Sequence, residues 1–375
     1  MATIIFKPTE GCNARCLYCD VVARRPRTEA MPLHLLEEVF RWINVYREAR
    51  PKDPVSLVWH GGEPLLLGAA YFREALRLQE RVCTAGEGKI THAIQTNLTL
   101  LDEESIDALR ALGMSSLSTS YDPVPGIRGM GAHGDSRLYN ERFFDGLRVL
   151  RAHGFGWGLI YVVTRRALAR PREIFTFLTN LTLANGFSLS PVLLYGDDPH
   201  GLGITPEEFA DFLGSIFPLW WAHRERWANV EPFCRLYRAV VLKQRALGCA
   251  DSGACHTNHV YVGPGGELSR CGRAADWSII DEGTIHDRSL LDVLFSDGQP
   301  LARRNAVLRD GECRGCRFWD LCHGGCPLDS FPATGDLLHR SPWCEARRLF
   351  LEKYFEPVTG TRFEGLGEVT HAIGA

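Results

Sequence analysis

An α/β fold is predicted for this chain of 375 residues, a partial (β/α)6 TIM-like barrel followed by a small cysteine-rich domain. Three observations carry the expectation. Short β-rich runs alternate six times with amphipathic helical stretches, polar motifs recur at the ends of those runs, and the rhythm stops shortly before a block of eight cysteines. Repeated βα units imply a parallel sheet with right-handed crossovers.

The strands are expected, in order, at Thr3–Lys7, Val55–Trp59, Ile90–Gln95, Ser115–Ser120, Gly158–Val163 and Phe187–Leu194. Between and after them lie helical stretches near 32–48, 69–83, 103–112, 138–153, 171–185 and 206–221. Thr205-Pro206-Glu207-Glu208 sets a cap, a first-turn proline and acidic residues in order. Asp102 ahead of Glu103, Glu104 and Ile106 marks another helix start. A cysteine triad follows the first strand, and Gly61-Gly62-Glu63-Pro64 follows the second. Gln95-Thr96-Asn97 closes the third, Ser120-Tyr121-Asp122 the fourth, and Thr164-Arg165 follows the fifth. Such barrels carry their chemistry on that face.

The expected domains are the barrel, 1–225, a linking helix, 226–248 (helical over Phe233–Leu247), the cysteine-rich domain, 249–349, and a loose tail, 350–375. Val260-Tyr261-Val262, Gly263–Gly266 and Glu267-Leu268 read as a hairpin. The cysteine-rich region has little continuous apolar pattern, so bound metal is expected to stabilise it.

Apolar and charged contents of 45% and 23% are ordinary globular values. A net charge of −3 offers no electrostatic attraction to nucleic acid or an anionic membrane. No apolar run reaches transmembrane length, and MATIIFKPTEGC lacks the basic and apolar regions of a signal peptide. The expectation is a cytoplasmic protein whose reduced thiols bind metal rather than form disulfides.

Eleven of the thirteen cysteines fall into two blocks. Cys12-x3-Cys16-x2-Cys19 supplies three thiolates. Cys249-x5-Cys255-x10-Gly266-x4-Cys271, Cys313-x2-Cys316-x5-Cys322-x3-Cys326 and Cys344 supply eight. A [4Fe–4S] cubane takes four thiolates, so the division is into three clusters, the first with one iron open to substrate or cofactor. Alone, the triad also suits a zinc knuckle, and Cys313 to Cys326 a zinc ribbon. The glycine motif after the next strand favours the cluster reading.

The remaining features have plainer readings. Cys83 and Cys234 read as buried small hydrophobes. Gly129-Met130-Gly131-Ala132-His133-Gly134 spells a dinucleotide fingerprint without the strand and acidic partner that fingerprint needs. A mobile loop over the barrel mouth is expected there instead. Trp220, Trp221 and Trp227 read with Phe217 as helix core, and His60, His256 and His259 as structural histidines.

The triad together with Gly61-Gly62-Glu63-Pro64 resembles the radical S-adenosylmethionine superfamily. The resemblance implies that Cys12, Cys16 and Cys19 hold a [4Fe–4S] cluster whose open iron binds S-adenosylmethionine. It further implies reductive cleavage of that cofactor to a 5′-deoxyadenosyl radical, which takes hydrogen from an unactivated C–H bond. Tyr18 would pack beside adenine, and Gly61, Gly62, Glu63 and Pro64 would meet the amino group. Asn97, Ser120 and Arg128 would lie near the ribose and carboxylate, with Arg137 and Arg142 as alternatives to Arg128.

The second block is similar to the SPASM domain of peptide-modifying members. That likeness assigns Cys249, Cys255, Cys271 and Cys326 to an inner auxiliary cluster, and Cys313, Cys316, Cys322 and Cys344 to an outer one. The implied substrate is a ribosomally made peptide, oxidised and crosslinked at a side chain. The implied partner is a reductant such as ferredoxin or flavodoxin, and any leader recognition is expected from a separate leader-recognition protein or from the barrel surface.

Anaerobic sulfatase-maturating enzymes, which form formylglycine, are also similar. Their Cys-Asp pair, which carries the proposed base, reads Cys271-Gly272 here, and spacing gives Asp276 no role. Two readings from other classes are a non-catalytic iron–sulfur electron carrier and a zinc-dependent nucleic-acid binder.

Overall fold

Six βα repeats run along the chain in the computed structural model, which describes residues 2–19, 28–183, 185–194, 196–245, 247–295 and 300–365. The strands are β1 (Ala2–Phe6), β2 (Val55–Trp59), β3 (Ile90–Thr96), β4 (Ser116–Ser120), β5 (Gly156–Val163) and β6 (Phe187–Pro191). Each is followed by a helix: α1 (Leu33–Ala49), α2 (Gly68–Val82), α3 (Glu103–Ala111), α4 (Ser136–Ala152), α5 (Pro171–Thr182) and α6 (Pro206–Ala222). Three short strands come later, β7 (Val230–Glu231), β8 (His259–Val262) and β9 (Leu268–Ser269). Both capping signals hold. Asp102 accepts from the Ser105 backbone at 2.8 Å, and Thr205 and Glu208 form a reciprocal capping box at the start of α6.

The chain forms two compact units, residues 1–160 with 256–297, and residues 161–255 with 298–375. In the first unit β1 to β5 pair in parallel in sequence order, with Ala2 opposite Val55 and Ser116 opposite Gly156. β8 adds in parallel on the other side of β1, and β9 closes the expected hairpin on β8. The segment carrying β8 therefore folds with β1, although it reads as cysteine-rich domain in sequence. The open backbone edge of β1 needs hydrogen-bond partners, and β8 supplies them.

Period-two burial divides the faces of these strands. Ile4, Phe6, Leu57, Trp59, Ile94, Leu117 and Leu159 are buried on one, where Trp59 packs edge-on against Phe6 and against Phe72 of α2. The opposite face carries Ser56, Val58, Ala93, Gln95, Ser116, Ser118, Ser120, Gly156, Gly158 and Ile160, all half-buried or exposed. Bulky branched residues fill closed barrels. Small and polar ones here leave room.

In the second unit β6 and β7 pair in parallel. Its core is aromatic, with Phe217 and Trp220 of α6 against Phe233, and Phe217 also against Phe350 and Phe355. This bears out the core reading for Phe217 and Trp220, while Trp221 and Trp227 are half-buried. Two sequence expectations need correction. Helix from Phe233 persists only to Val241, and Lys243 turns to φ +55°. The expected tail is helical from Glu356 to Thr359, continuous with helix from Cys344, and Phe350, Phe355 and Phe363 are fully buried. Phe350 and Phe355 cover Phe217 and Phe363 stacks on Phe318, so packing orders a segment whose local sequence reads as loose. Residues 366–375 lie outside the described residues. Among the described residues no helix is long and apolar enough to cross a membrane.

Candidate functional site

The loop after β1 carries Cys12, Cys16 and Cys19, all half-buried and within electrostatic reach of one another. Burial pushes the Cys12 thiol up to about 12 and the Cys16 thiol to about 11. Thiols so placed ionise only against a compensating positive centre, which a metal cluster supplies. Among the described residues no three or more Cys, His, Asp or Glu are gathered closely enough to grip a single metal ion. A multi-iron cluster takes thiols spread more widely than one ion does.

Two neighbours hold this loop. On one side the Glu63 backbone donates to Gly11 at 2.8 Å and that of Gly62 to Thr9 at 3.3 Å. On the other, Arg15 donates to the Gly129 carbonyl at 2.7 Å and Leu17 to Ile127 at 2.9 Å, while Ala14 bridges Met130. The glycine-rich segment from Gly129 to Gly134, expected as a mobile loop, is thus a strap bonded to the triad loop.

The reason for the glycines is backbone crowding. At Gly61 (φ +133°) a β-carbon would stand 2.1 Å from the Thr9 carbonyl oxygen, and at Gly62 one would stand 2.2 Å from that of Gly11. Gly62→Ala should push the two loops apart, lowering stability by about 1–3 kcal/mol and cofactor cleavage with it. Thermal unfolding and 5′-deoxyadenosine assays read the two effects. Pro64 follows as the first residue of a one-turn helix capped by Glu63.

Glu63 itself is fully buried. Its carboxylate accepts from the Leu65 backbone at 2.9 Å, the Thr96 hydroxyl at 2.7 Å and the Asn97 backbone at 2.6 Å. Burial lifts its pKa to about 7 against the pull of those donors. The carboxylate ties the second strand's turn to the third's.

Asn97 reaches the triad loop, donating to Asn13 at 3.0 Å and lying 3.9 Å from the Cys12 sulfur. Its own oxygen accepts from the backbone and hydroxyl of Thr99. The next residue, Leu98, takes φ +64°, rare for a branched side chain. Gly146 of α4 makes room for it, since a β-carbon there would stand 2.2 Å from the Leu98 oxygen.

Arg128 is buried beneath the strap, and its Nε donates to Asp122 at 2.5 Å. It also donates to the hydroxyls of Tyr18 and Tyr139, and its charge reaches Cys16. Tyr18 in turn donates to Asp122 at 2.8 Å. The two alternatives, Arg137 and Arg142, are exposed. Of the three, only Arg128 is buried, and its fork is already engaged by Asp122. Ser120 accepts from Gln95 at 2.9 Å on the half-open face.

That face bounds a cavity of about 460 Å³ lined by Val58, His60, Gln95, Ser118, Leu117 and Ile160, among others. Beside His60 lies a buried ion pair that sequence reasoning missed, Lys7 with both Asp276 oxygens at 2.7 Å. Gly272 lies against this pair, where a β-carbon would stand 3.1 Å from the Lys7 Cε.

His60 accepts from the Gly61 backbone through Nδ1 at 2.8 Å. Burial, then the Lys7 ammonium, lower its pKa from 6.5 to about 4, so the ring is neutral at physiological pH. An unfolded imidazole protonates near 6.5 while the folded one resists to about 4. The folded state therefore loses stability as pH falls through that window, by about 3 kcal/mol in full. His60→Gln should flatten the acid limb of a denaturation profile measured from pH 7 to 4.

The outer quartet Cys313, Cys316, Cys322 and Cys344 lies within the second unit, with Cys313 in electrostatic reach of the other three. Cys249, Cys255 and Cys326 belong to the second unit and Cys271 to the first. Cys83 is half-buried and donates to the Phe40 carbonyl, and Cys234 is buried beside Glu231. His259 bonds Asn258 at 2.7 Å. Besides Lys7, sequence reasoning passed over Asn13, Thr99 and Tyr139. Asn13, between two motif cysteines, was the one with a readable signal.

Residues 6–178 match the family described as the Radical SAM superfamily. An uncharacterized protein of Methanothermobacter thermautotrophicus is 31% identical over 56% of this chain and 76% of its own length. The cysteine-type anaerobic sulfatase-maturating enzyme of Clostridium novyi is 22% identical over 95% of this chain and 96% of its own. Among solved structures, native anSMEcpe with bound AdoMet and Cp18Cys peptide superposes with a TM-score of 0.80 at 20% identity, covering 96% of this chain and 98% of that one. The likeness establishes the same fold.

Proposed function

Because the chain belongs to the radical SAM superfamily, and so to a family of enzymes, we propose that it oxidatively modifies a side chain of a ribosomally made peptide, forming a crosslink. The observation that carries this is the small-residue face of β2 to β5, which bounds a cavity of about 460 Å³ that is lined by apolar and polar residues and is large enough for a peptide side chain. A peptide substrate also agrees with the peptide-bound relative of the same fold.

In this reading Cys12, Cys16 and Cys19 hold a [4Fe–4S] cluster, and backbone groups of Gly61 to Pro64 with Asn97, Ser120 and Tyr18 border S-adenosylmethionine. When bound, that pair supplies a 5′-deoxyadenosyl radical able to take hydrogen from carbon. The chain's own residues do the rest. Asn97 and the strap at Gly129 fix the triad loop, and Arg128 secures Tyr18 and Asp122. Neutral His60 offers its Nε2 hydrogen to the cavity. Asp276, paired with Lys7 at 2.7 Å, is the carboxylate assigned to receive the proton that substrate oxidation releases. Cys249, Cys255, Cys271 and Cys326, and Cys313, Cys316, Cys322 and Cys344, would hold two auxiliary clusters, which would supply an acceptor for the electron. A small external reductant, of the ferredoxin or flavodoxin type, starts each turnover.

The whole-length likeness to a sulfatase-maturating enzyme favours formylglycine formation as a second reading, and Gly272 weighs against it. The test is anaerobic turnover of the reconstituted chain with S-adenosylmethionine, reductant and, in turn, a peptide encoded beside its gene or a sulfatase-derived peptide. Loss of a pair of hydrogens from the former, without hydrazide-reactive aldehyde, is expected. Aldehyde on the latter would replace our reading with the second, and absence of 5′-deoxyadenosine in every mixture would refute both.

A further inference from the structure

The region between the auxiliary cysteines turns on a buried arginine that no motif marks. We propose that Arg304 is the positioning residue of both auxiliary clusters, fixing the loops that present their ligands and supplying the buried positive charge that makes the clusters easier to reduce. The proposal rests on the functional reading above and deepens it.

Arg304 lies on the helix Pro300–Asp310 and is 4% exposed. Its five N–H donors meet five backbone carbonyls. Nε donates to Leu337 at 2.8 Å, Nη1 to Gly325 at 2.9 Å and His323 at 3.3 Å, and Nη2 to His339 at 2.7 Å and Gly324 at 3.2 Å. His323, Gly324 and Gly325 are the whole link between Cys322 and Cys326, which are ligands of different clusters. Leu337 and His339 lead to Cys344. All three linker residues have positive φ, at +46°, +78° and +75°, and this run turns successive carbonyls toward one guanidinium. The neighbouring Asn305 donates to Gly253 at 3.0 Å, between Cys249 and Cys255. Two adjacent side chains thus grip three cysteine-bearing segments.

The charge argument is independent of the loops. Every hydrogen bond Arg304 makes among the described residues goes to a neutral carbonyl, so the guanidinium has no hydrogen-bonded carboxylate. Burial lowers its pKa, and the groups that oppose the shift are the thiols of Cys326, Cys313 and Cys255, then Asp329. A buried cation requires an opposite charge nearby, and four-thiolate clusters are net anions. The same attraction strengthens when a cluster gains an electron, so it favours the reduced state. Clusters that must accept an electron from an oxidised substrate gain by that bias.

The test is a redox titration of the anaerobically reconstituted full chain, followed by electron paramagnetic resonance, with iron and sulfide measured on each sample. Arg304→Gln should lower the auxiliary potentials, leave the triad cluster's potential in place, and leave 5′-deoxyadenosine formation intact. Arg304→Lys, which keeps the charge and loses the fork, should recover most of the shift. Asp329→Asn, with Arg304 untouched, should move the potentials the opposite way, which keeps the test decisive where Arg304→Gln fails to load. Unchanged auxiliary potentials in loaded Arg304→Gln, or in Asp329→Asn, would overturn the assignment. No peptide is present, so the functional reading is tested separately. Absence of auxiliary signals from the wild-type chain would strike that reading itself.

Discussion

Replacement of Cys12, Cys16 and Cys19 together by alanine should reduce 5′-deoxyadenosine formation to background while iron and sulfide persist at the second cysteine block. The expectation follows from the architecture. The triad loop is held by backbone hydrogen bonds from Gly62, Glu63, Arg15 and Leu17, none of which needs a sulfur. The outer quartet lies in the other compact unit, whose aromatic core is its own. Removal of three half-buried thiols therefore deletes ligands without unravelling either element. Chromatographic detection of the nucleoside and metal analysis of the same sample make the comparison. Continued cofactor cleavage by the triple variant would remove the triad from the mechanism.

The second large effect is expected at the ion pair. Lys7→Met leaves Asp276 buried without its ammonium, a change that typically costs about 3–5 kcal/mol. Asp276→Leu alone does the same to Lys7. The double variant should regain most of that stability, because apolar groups of similar volume replace a buried pair at little cost. Function should not return with it. The double variant is expected to form 5′-deoxyadenosine and fail to convert peptide, since proton uptake at Asp276 is lost while the triad loop is untouched. Full peptide conversion by a stable double variant would reduce the pair to a structural tie. Denaturant unfolding and the ratio of product to 5′-deoxyadenosine separate the two roles.

Much of the fold was legible in the sequence because its signals are local. β2 begins and ends where its apolar run does, and the Thr205 and Asp102 caps operate through side chains within three residues. The triad and Gly61 to Pro64 were also readable, since both are short and contiguous. The physical role of the glycines was not. It comes from the approach of two loops about fifty residues apart along the chain. Nor could spacing decide among Arg128, Arg137 and Arg142. Only burial beside Asp122 and Tyr139 separates them.

By itself, then, the order of residues determined the βα alternation, the helix starts, and the division of eleven thiols into two blocks, all carried by short-range patterns. Tertiary structure alone decided that β8 completes the edge of β1, that Lys7 meets Asp276, and that the final aromatics close over Phe217. The reason is physical. Unsatisfied backbone edges, buried charges and apolar surface are neutralised by whatever the folded chain brings near, and separations of 133 to 269 residues carry no mark in the local sequence.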